Sequence, residues 1–271
     1  MLDLEFAELT DPGLTRGHNE DFIGHCLPES PAQVQSRGWL FALADGVGGQ
    51  ERGEVASRLA VETALAGFRK IPKGVMHVSL LPRLVQEANQ AVFDALHDDA
   101  GPIPDPGSGR MATTLVLCAL RFDSAVISHV GDSRCYLFRG GALSSLTRDH
   151  TMVDEQVRLG LISRAEAATH ANRHMLTRSL GGEMFVAADT LTVNIQPGDL
   201  LLLSSDGLHG YVDDASIQRI LTTTPDLAAA TAALIAAANS AGGHDNVSAQ
   251  LIRIRTVERM GLYRGRPYRL L

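Results

Sequence analysis

Short apolar runs in this chain repeatedly end on aspartate. Trp39-Leu40-Phe41-Ala42-Leu43-Ala44 breaks at Asp45, Val130-Gly131 at Asp132, Leu200 to Ser205 at Asp206, and Gly243-His244 leads into Asp245-Asn246. Buried strands end at loops, so a carboxylate at each of several strand ends can converge on one rim of a core. The acidic pair Glu20-Asp21 adds to the set. Unneutralised, the cluster would push several carboxyl pKa values up or strain the fold, whereas a hard cation such as Mg²⁺ or Mn²⁺ takes these oxygens as ligands. The residues alone therefore predict a metal-dependent hydrolase.

A chain of 271 residues with 45% hydrophobic content can bury a sizeable core, in one large domain or two small ones. Its first residues, Met1 to Phe6, are acidic and alternating, with neither a basic leader nor an apolar stretch of membrane-spanning length. The expectation is a cytoplasmic protein with no membrane insertion. Cys26, Cys118 and Cys135 share no metal-type spacing and are expected to be reduced and structural. The net charge of −7 is uneven: Arg253, Arg255, Arg259, Arg264, Arg266 and Arg269 face only Glu258 in the last nineteen residues, which carry +5 and leave −12 on residues 1–252. So acidic a body argues against nucleic acid as substrate, because binding a phosphate backbone needs a broad basic face. The basic tail reads as a solvated or self-docked extension ahead of a dedicated partner site.

Alternation at Leu2, Leu4 and Phe6 predicts a half-buried strand, and residues 37–44 a more fully buried one. Helical spacing follows over 51–69, through Val55, Leu59, Ala60 and Ala66, and over 80–97, through Leu81, Leu84, Val85, Ala88, Val92 and Leu96. Gly101 to Gly109 reads as a loop. Residues 113–120, 125–130 and 135–138 predict an antiparallel meander, since their connections are too short for helical crossovers. A polar, helix-prone segment over 149–175 carries a capping box at Ser163 and Glu166. Strand patterns at 191–196 and 200–203, an Ala-rich helix over 225–241 stopped by Gly242-Gly243, and a strand near 247–254 complete the chain. Helix pairs set apart from runs of strands give an α+β class: two stacked antiparallel sheets flanked by helices.

Five strings stand in order: Arg16-Gly17-His18-Asn19-Glu20-Asp21, Ala44-Asp45-Gly46-Val47-Gly48-Gly49, Gly131-Asp132-Ser133-Arg134, Ser204-Ser205-Asp206-Gly207 and Gly243-His244-Asp245-Asn246-Val247-Ser248. Together they resemble the metal-dependent Ser/Thr protein phosphatases of type 2C, over roughly residues 5–254. The resemblance implies one catalytic domain over 1–254, with residues 149–175 as a flap beside the site and 255–271 as a basic tail. It implies two Mn²⁺ or Mg²⁺ ions sharing a hydroxide that attacks phosphoserine or phosphothreonine. Carried over by motif, Asp45 would bridge both metals, Asp206 and Asp245 would complete the first, and Glu20 with the Gly46 carbonyl would hold the second. Asp132 with Asp206 matches a weaker third site. Asp21 would orient metal-bound water, and Arg16 would hold the substrate phosphate with its planar fork of donors.

The implied partners are phosphorylated proteins, a cognate Ser/Thr kinase and its substrates, met by a monomer. Two departures stand out. Many eukaryotic members carry a histidine, proposed as general acid, where this chain has Val47, which points to the bacterial type. The usual Met-Gly-Thr-Thr segment is here Met111-Ala112-Thr113-Thr114. Taken singly, Asp45-Gly46 or Asp206-Gly207 reads as a turn and Arg16 as a surface arginine; their joint order favours ligands. His150, His209 and His244 lie beside motif residues and read as hydrogen-bonding groups rather than catalysts, and His18 occupies a variable motif position. Two other readings stay open. One is a catalytically silent phosphoprotein-docking module, whose mark would be a lost metal ligand; the other is a metal phosphodiesterase or nuclease, disfavoured by the acidic body.

Overall fold

Strand β1 (Asp3–Asp11) is followed by β2 (Asp21–Cys26), a short helix α1 (Pro31–Ser36) and β3 (Trp39–Val47). Helix α1 begins where the Ser30 side chain accepts the Gln33 N–H, with proline in the first turn, where a missing N–H costs nothing. Two long helices, α2 (Arg52–Arg69) and α3 (His77–Asp99), precede β4 (Ala112–Thr113), β5 (Leu115–Arg121), β6 (Ser124–Val130), β7 (Arg134–Arg139) and β8 (Ala142–Ser145). The flap holds α4 (Met152–Arg158) and α5 (Arg164–Ala168). Then come β9 (Asp189–Asn194), β10 (Leu200–Ser204), α6 (Asp206–His209), α7 (Asp214–Thr223), α8 (Leu227–Ser240), β11 (Val247–Thr256), β12 (Met260–Tyr263) and β13 (Arg266–Arg269). The structure, a computed structural model, describes residues 1–47, 52–72, 74–99, 111–263 and 266–269. The expected loop over 101–109, Gly48 and Gly49 of the second string, and Glu51 at the expected helix start lie outside the described residues.

The strands form two antiparallel sheets, in the orders β1-β11-β10-β7-β8 and β2-β3-β5-β6-β9, with β4 pairing at the end of β3. Three apolar layers result. Phe41, Leu43, Cys118 and Ile127 of one sheet meet Cys135, Leu201, Leu203 and Ile252 of the other. The opposite faces of β3 and β5, through Leu40, Ala42 and Leu117, pack on Ala60, Val61 and Phe68 of α2 and Leu81 and Leu84 of α3. Leu202 and Leu251 pack on Leu234 and Ala238 of α8. Central strands are thus buried on both faces, which explains their unbroken apolar runs. At about 1.5–3 kcal/mol for each large side chain fully buried, these layers supply the main drive to fold. The architecture is the expected sandwich of two sheets between helices.

Four details differ from the sequence reading. The meander breaks after β6, where Gly131 at φ 100° turns the chain out of one sheet and β7 pairs in the other with β10. A side chain at Gly131 would collide with Thr114, so only glycine makes that passage. On α2 the buried stripe runs through Ala56, Ala60, Ala64 and Phe68, while Val55 is exposed. Arg253 and Arg255 are strand residues that both pair with Glu5 of β1, at 3.5 and 2.9 Å. The rest of the described tail pairs as the β12–β13 hairpin. No helix of the described residues is long and apolar enough to cross a membrane.

Candidate metal centre

Each candidate carboxylate is fixed by its backbone. Asp45 is the residue of β3 facing Asp21 of β2 in the antiparallel register. Its N–H donates to Thr114 Oγ1 at 2.9 Å, and its carbonyl accepts from Thr114 N–H and Thr113 Oγ1. Thr114 Oγ1 in turn lies 2.7 Å from Ser133 Oγ, tying the end of β3 to the turn that carries Asp132. Ala112 sits opposite Val47 in this junction and leaves the threonine contacts intact. Asp206 opens α6, directly after β10. Ser205, just before it, donates its hydroxyl to Asp21 Oδ2 at 2.7 Å and accepts the Ser248 N–H at 2.9 Å.

Asn246 is the joint between the first and last strings. Its Oδ1 accepts the Glu20 N–H at 2.8 Å, and its Nδ2 donates to the carbonyls of Pro12 and His18 at 3.0 and 2.8 Å. Gly46 donates its N–H to the Glu20 carbonyl, and a Cβ at Gly46 would strike the backbone of Gly53 and Glu20. The Glu20 carboxylate and the Gly46 backbone both crowd the spot where a side chain on Gly53 would start. Arg16 stands at the edge, half exposed, its Nη2 2.9 Å from Asp245 Oδ2.

Asp21, Asp45 and Asp132 lie close enough to Asp206 to feel its charge, while for Asp206 itself burial is outweighed by the His174 hydrogen bond and nearby histidines, which hold it below its ordinary value. Burial, then the charges of Asp21, Asp206, Asp132 and Asp245, push the Asp45 carboxyl well above its usual range. Burial pushes Asp21 up to about 7 against the stabilising Ser205 and Ser248 contacts, and its Oδ1 is buried with no hydrogen-bond partner among the described residues. Burial, followed by Asp206 and Asp149, likewise raises Asp132 well above its ordinary value. Burial, only partly offset by Arg16, raises Glu20. These are oxygen-only donors short of positive charge, a set that suits Mg²⁺ or Mn²⁺.

A histidine that sequence reasoning passed over reaches this rim. His174 of the flap places Nδ1 3.1 Å from Asp206 Oδ2. No local pattern marks it, since the contact spans 32 positions and depends on how the flap folds back. His209 bonds the Ser204 hydroxyl at 3.1 Å, and burial holds its pKa well below the usual value. His244 packs its ring on Tyr211. His150 bridges flap and sheet: its N–H donates to the Gly131 carbonyl and its Nδ1 accepts the Gly131 N–H. With Nδ1 an acceptor, Nε2 of the neutral ring holds the proton and faces Asp189 Oδ2 at 3.3 Å. The group His129, His150 and Asp189 has the residue types of a metal site, but this tautomer leaves His150 no lone pair for a metal. His150 is tied to the sheet through Gly131, while its Nε2 meets Asp189 at ion-pair distance without a hydrogen bond among the described residues.

Carboxylates converging at the edge of a two-sheet sandwich, with a guanidinium beside them, define a divalent-cation centre suited to a phosphate-bearing substrate. The protein phosphatase 2C family profile matches residues 18–252. The chain is 32% identical over 253 residues to the protein phosphatase PhpP of Streptococcus pneumoniae serotype 2, covering 92% of this chain and 97% of that one. It superposes on the Ser/Thr phosphatase PstP/Ppp of Mycobacterium tuberculosis with a TM-score of 0.81 and 33% identity, over 94% of this chain and all of that one. A catalytic domain of PstP solved with two manganese ions gives a TM-score of 0.79 and 32% identity over 94% of this chain and 100% of that chain. This chain belongs to the protein phosphatase 2C family.

Proposed function

We propose that the protein is a metal-dependent Ser/Thr phosphatase of bacterial signalling, which hydrolyses phosphoserine and phosphothreonine monoesters on proteins. The observation that carries this reading is the convergence of Glu20, Asp45, Asp206 and Asp245, with Arg16 at their edge, in a chain of this family. Asp45 is assigned to both ions, Asp206 and Asp245 to the first, Glu20 and the Gly46 carbonyl to the second, and Asp132 with Asp206 to a weaker third. Two bound Mn²⁺ or Mg²⁺ ions supply charge neutralisation at phosphorus and an acidified water.

The remaining work falls to side chains of the protein. Arg16, paired with a carboxylate that a cation would engage, is exposed enough to turn outward and donate to two phosphoryl oxygens. Asp21, held by Ser205, is placed to orient metal-bound water. Val47 is exposed beside the centre and offers no proton to the leaving alkoxide, whose protonation falls to water or another group. The natural counterpart is a Ser/Thr kinase; the protein is assigned to the cytoplasm as a monomer, with residues 1–254 as its catalytic domain and 255–271 as its tail.

Hydrolysis of para-nitrophenyl phosphate with Mn²⁺, with Mg²⁺ and with chelator, beside Asp206→Asn, tests the reading. Turnover that needs metal and vanishes in the variant supports it. Metal-independent turnover, or none on either the aryl phosphate or a phosphothreonine peptide, sinks it and leaves the docking-module reading.

A further inference from the structure

Beneath the flap, a cleft of about 280 Å³ opens directly off Asp132 and Asp206. The carboxylates in its wall are already engaged. Asp149 accepts both arms of Arg134 at 2.8 and 2.7 Å, and Asp154 lies 3.5 Å from Arg148. Asp132 and Asp206 belong to the metal set. Two cations of the wall have no such partner: Arg164, the first residue of α5, and Arg173, in the turn that follows, form no ion pair or side-chain hydrogen bond with any described residue. Val153 and Val157 of α4 add apolar surface to the lining.

A phosphorylated residue seated at the rim carries its neighbours past this cleft, since residues one or two positions away lie within about 4–7 Å along the chain. We propose that the cleft is a recognition subsite for a second anionic group on the substrate protein, a carboxylate or a further phosphate close in sequence to the scissile phosphate, and that Arg164 and Arg173 hold it. This rests on the phosphatase reading above. Guanidinium forks match both anions with paired hydrogen bonds; Arg164 feels the charge of Asp154, which Arg148 also faces, but neither Arg164 nor Arg173 is held by a carboxylate at ion-pair distance among the described residues, so both forks keep their donors for a ligand. The acidic body elsewhere, −12 over residues 1–252, gives no general attraction for anionic proteins. Selection is therefore local: the second anion has to sit within a few residues of the first.

The test is a set of phosphothreonine peptides on one backbone, with alanine, glutamate, phosphoserine or lysine at the flanking positions, assayed as kcat/KM with Mn²⁺. Wild type should favour the glutamate and phosphoserine peptides over the alanine one by about three- to tenfold, with lysine lowest, and added salt should shrink the spread. The larger of the two acidic effects names the natural anion. Arg164→Glu with Arg173→Glu should invert the order so that the lysine peptide is best, an outcome that misfolding cannot imitate; Arg→Lys at both should retain most of the original order. Equal kcat/KM on all peptides, or an order that survives the charge reversal, overturns the subsite and leaves the phosphatase reading intact. No hydrolysis of any peptide removes both.

Discussion

Nδ1 of His174 lies 3.1 Å from Oδ2 of Asp206, joining the far end of the flap to a carboxylate of the proposed metal set. A neighbour that orients a ligating carboxylate typically contributes 10- to 100-fold to metal affinity, and His174 is 43% exposed, which favours the low end. His174→Ala should weaken Mn²⁺ binding about tenfold by titration calorimetry. Unchanged affinity would mean that the contact only closes the flap.

Removing one carboxylate from the cluster should stabilise the protein without metal while destroying its function. Asp45 is crowded by Asp21, Asp206, Asp132 and Asp245, so Asp45→Asn relieves repulsion that only a cation otherwise relieves. In chelator the variant should unfold at a higher denaturant midpoint than wild type, by on the order of 1 kcal/mol or more, and with saturating Mn²⁺ the ranking should invert. A variant less stable in chelator contradicts the crowding.

The same cluster sets the pH dependence of the metal-free protein. Asp21 keeps its proton up to about pH 7 when folded but has an ordinary value of 3.8, so between these the folded state binds more protons and stability falls as pH rises. Asp45 and Asp132, also raised by burial and by neighbouring carboxylates, act in the same direction. Buried His77 and His129, lowered to about 4, act oppositely below 6.5, where the unfolded chain gains their protons. Above pH 6.5 the histidine contribution is complete and the carboxylates act alone, so melting in chelator should decline from pH 6.5 toward 8.5, and Mn²⁺ should abolish the decline. A melting point that rises from pH 6.5 to 8.5 in chelator contradicts this.

Asn246 serves three backbone groups, the Pro12 carbonyl ahead of the first string and the His18 carbonyl and Glu20 N–H within it. Asn246→Ala leaves one N–H and two carbonyls to find water, at about 1–3 kcal/mol of stability. Because one of them is the Glu20 N–H, the variant should also lose Mn²⁺ affinity at the site assigned to Glu20. Calorimetry showing full two-site binding would restrict Asn246 to a structural role.

How much of this could be read in advance depended on whether the signal was local. Asp45 and Asp206 follow apolar runs because their strands are buried on both faces, and the same runs gave β3 and β10. Gly131 was read as a hairpin turn, since a short connection says nothing of which sheet the next strand joins; that choice lies in its close approach to Thr114. His174 and Asn246 act through contacts 32 and more than 220 positions away, which no spacing rule reaches. The stripe of α2 was misplaced at Val55 because alanines, not larger residues, pack under β3. Arg253 and Arg255 looked like tail charge because their partner, Glu5, is at the other end of the chain.

The account's central claim is that the carboxylate rim holds two cations around Asp45, and anomalous diffraction at the manganese edge from crystals soaked in Mn²⁺ tests it most directly. The expected map has two strong peaks roughly 3.5–4 Å apart on either side of the Asp45 carboxylate, one beside Asp206 and Asp245 and one beside Glu20 and Gly46. A map with no peak at that rim, or with its strongest peak between His129, His150 and Asp189, would contradict the claim.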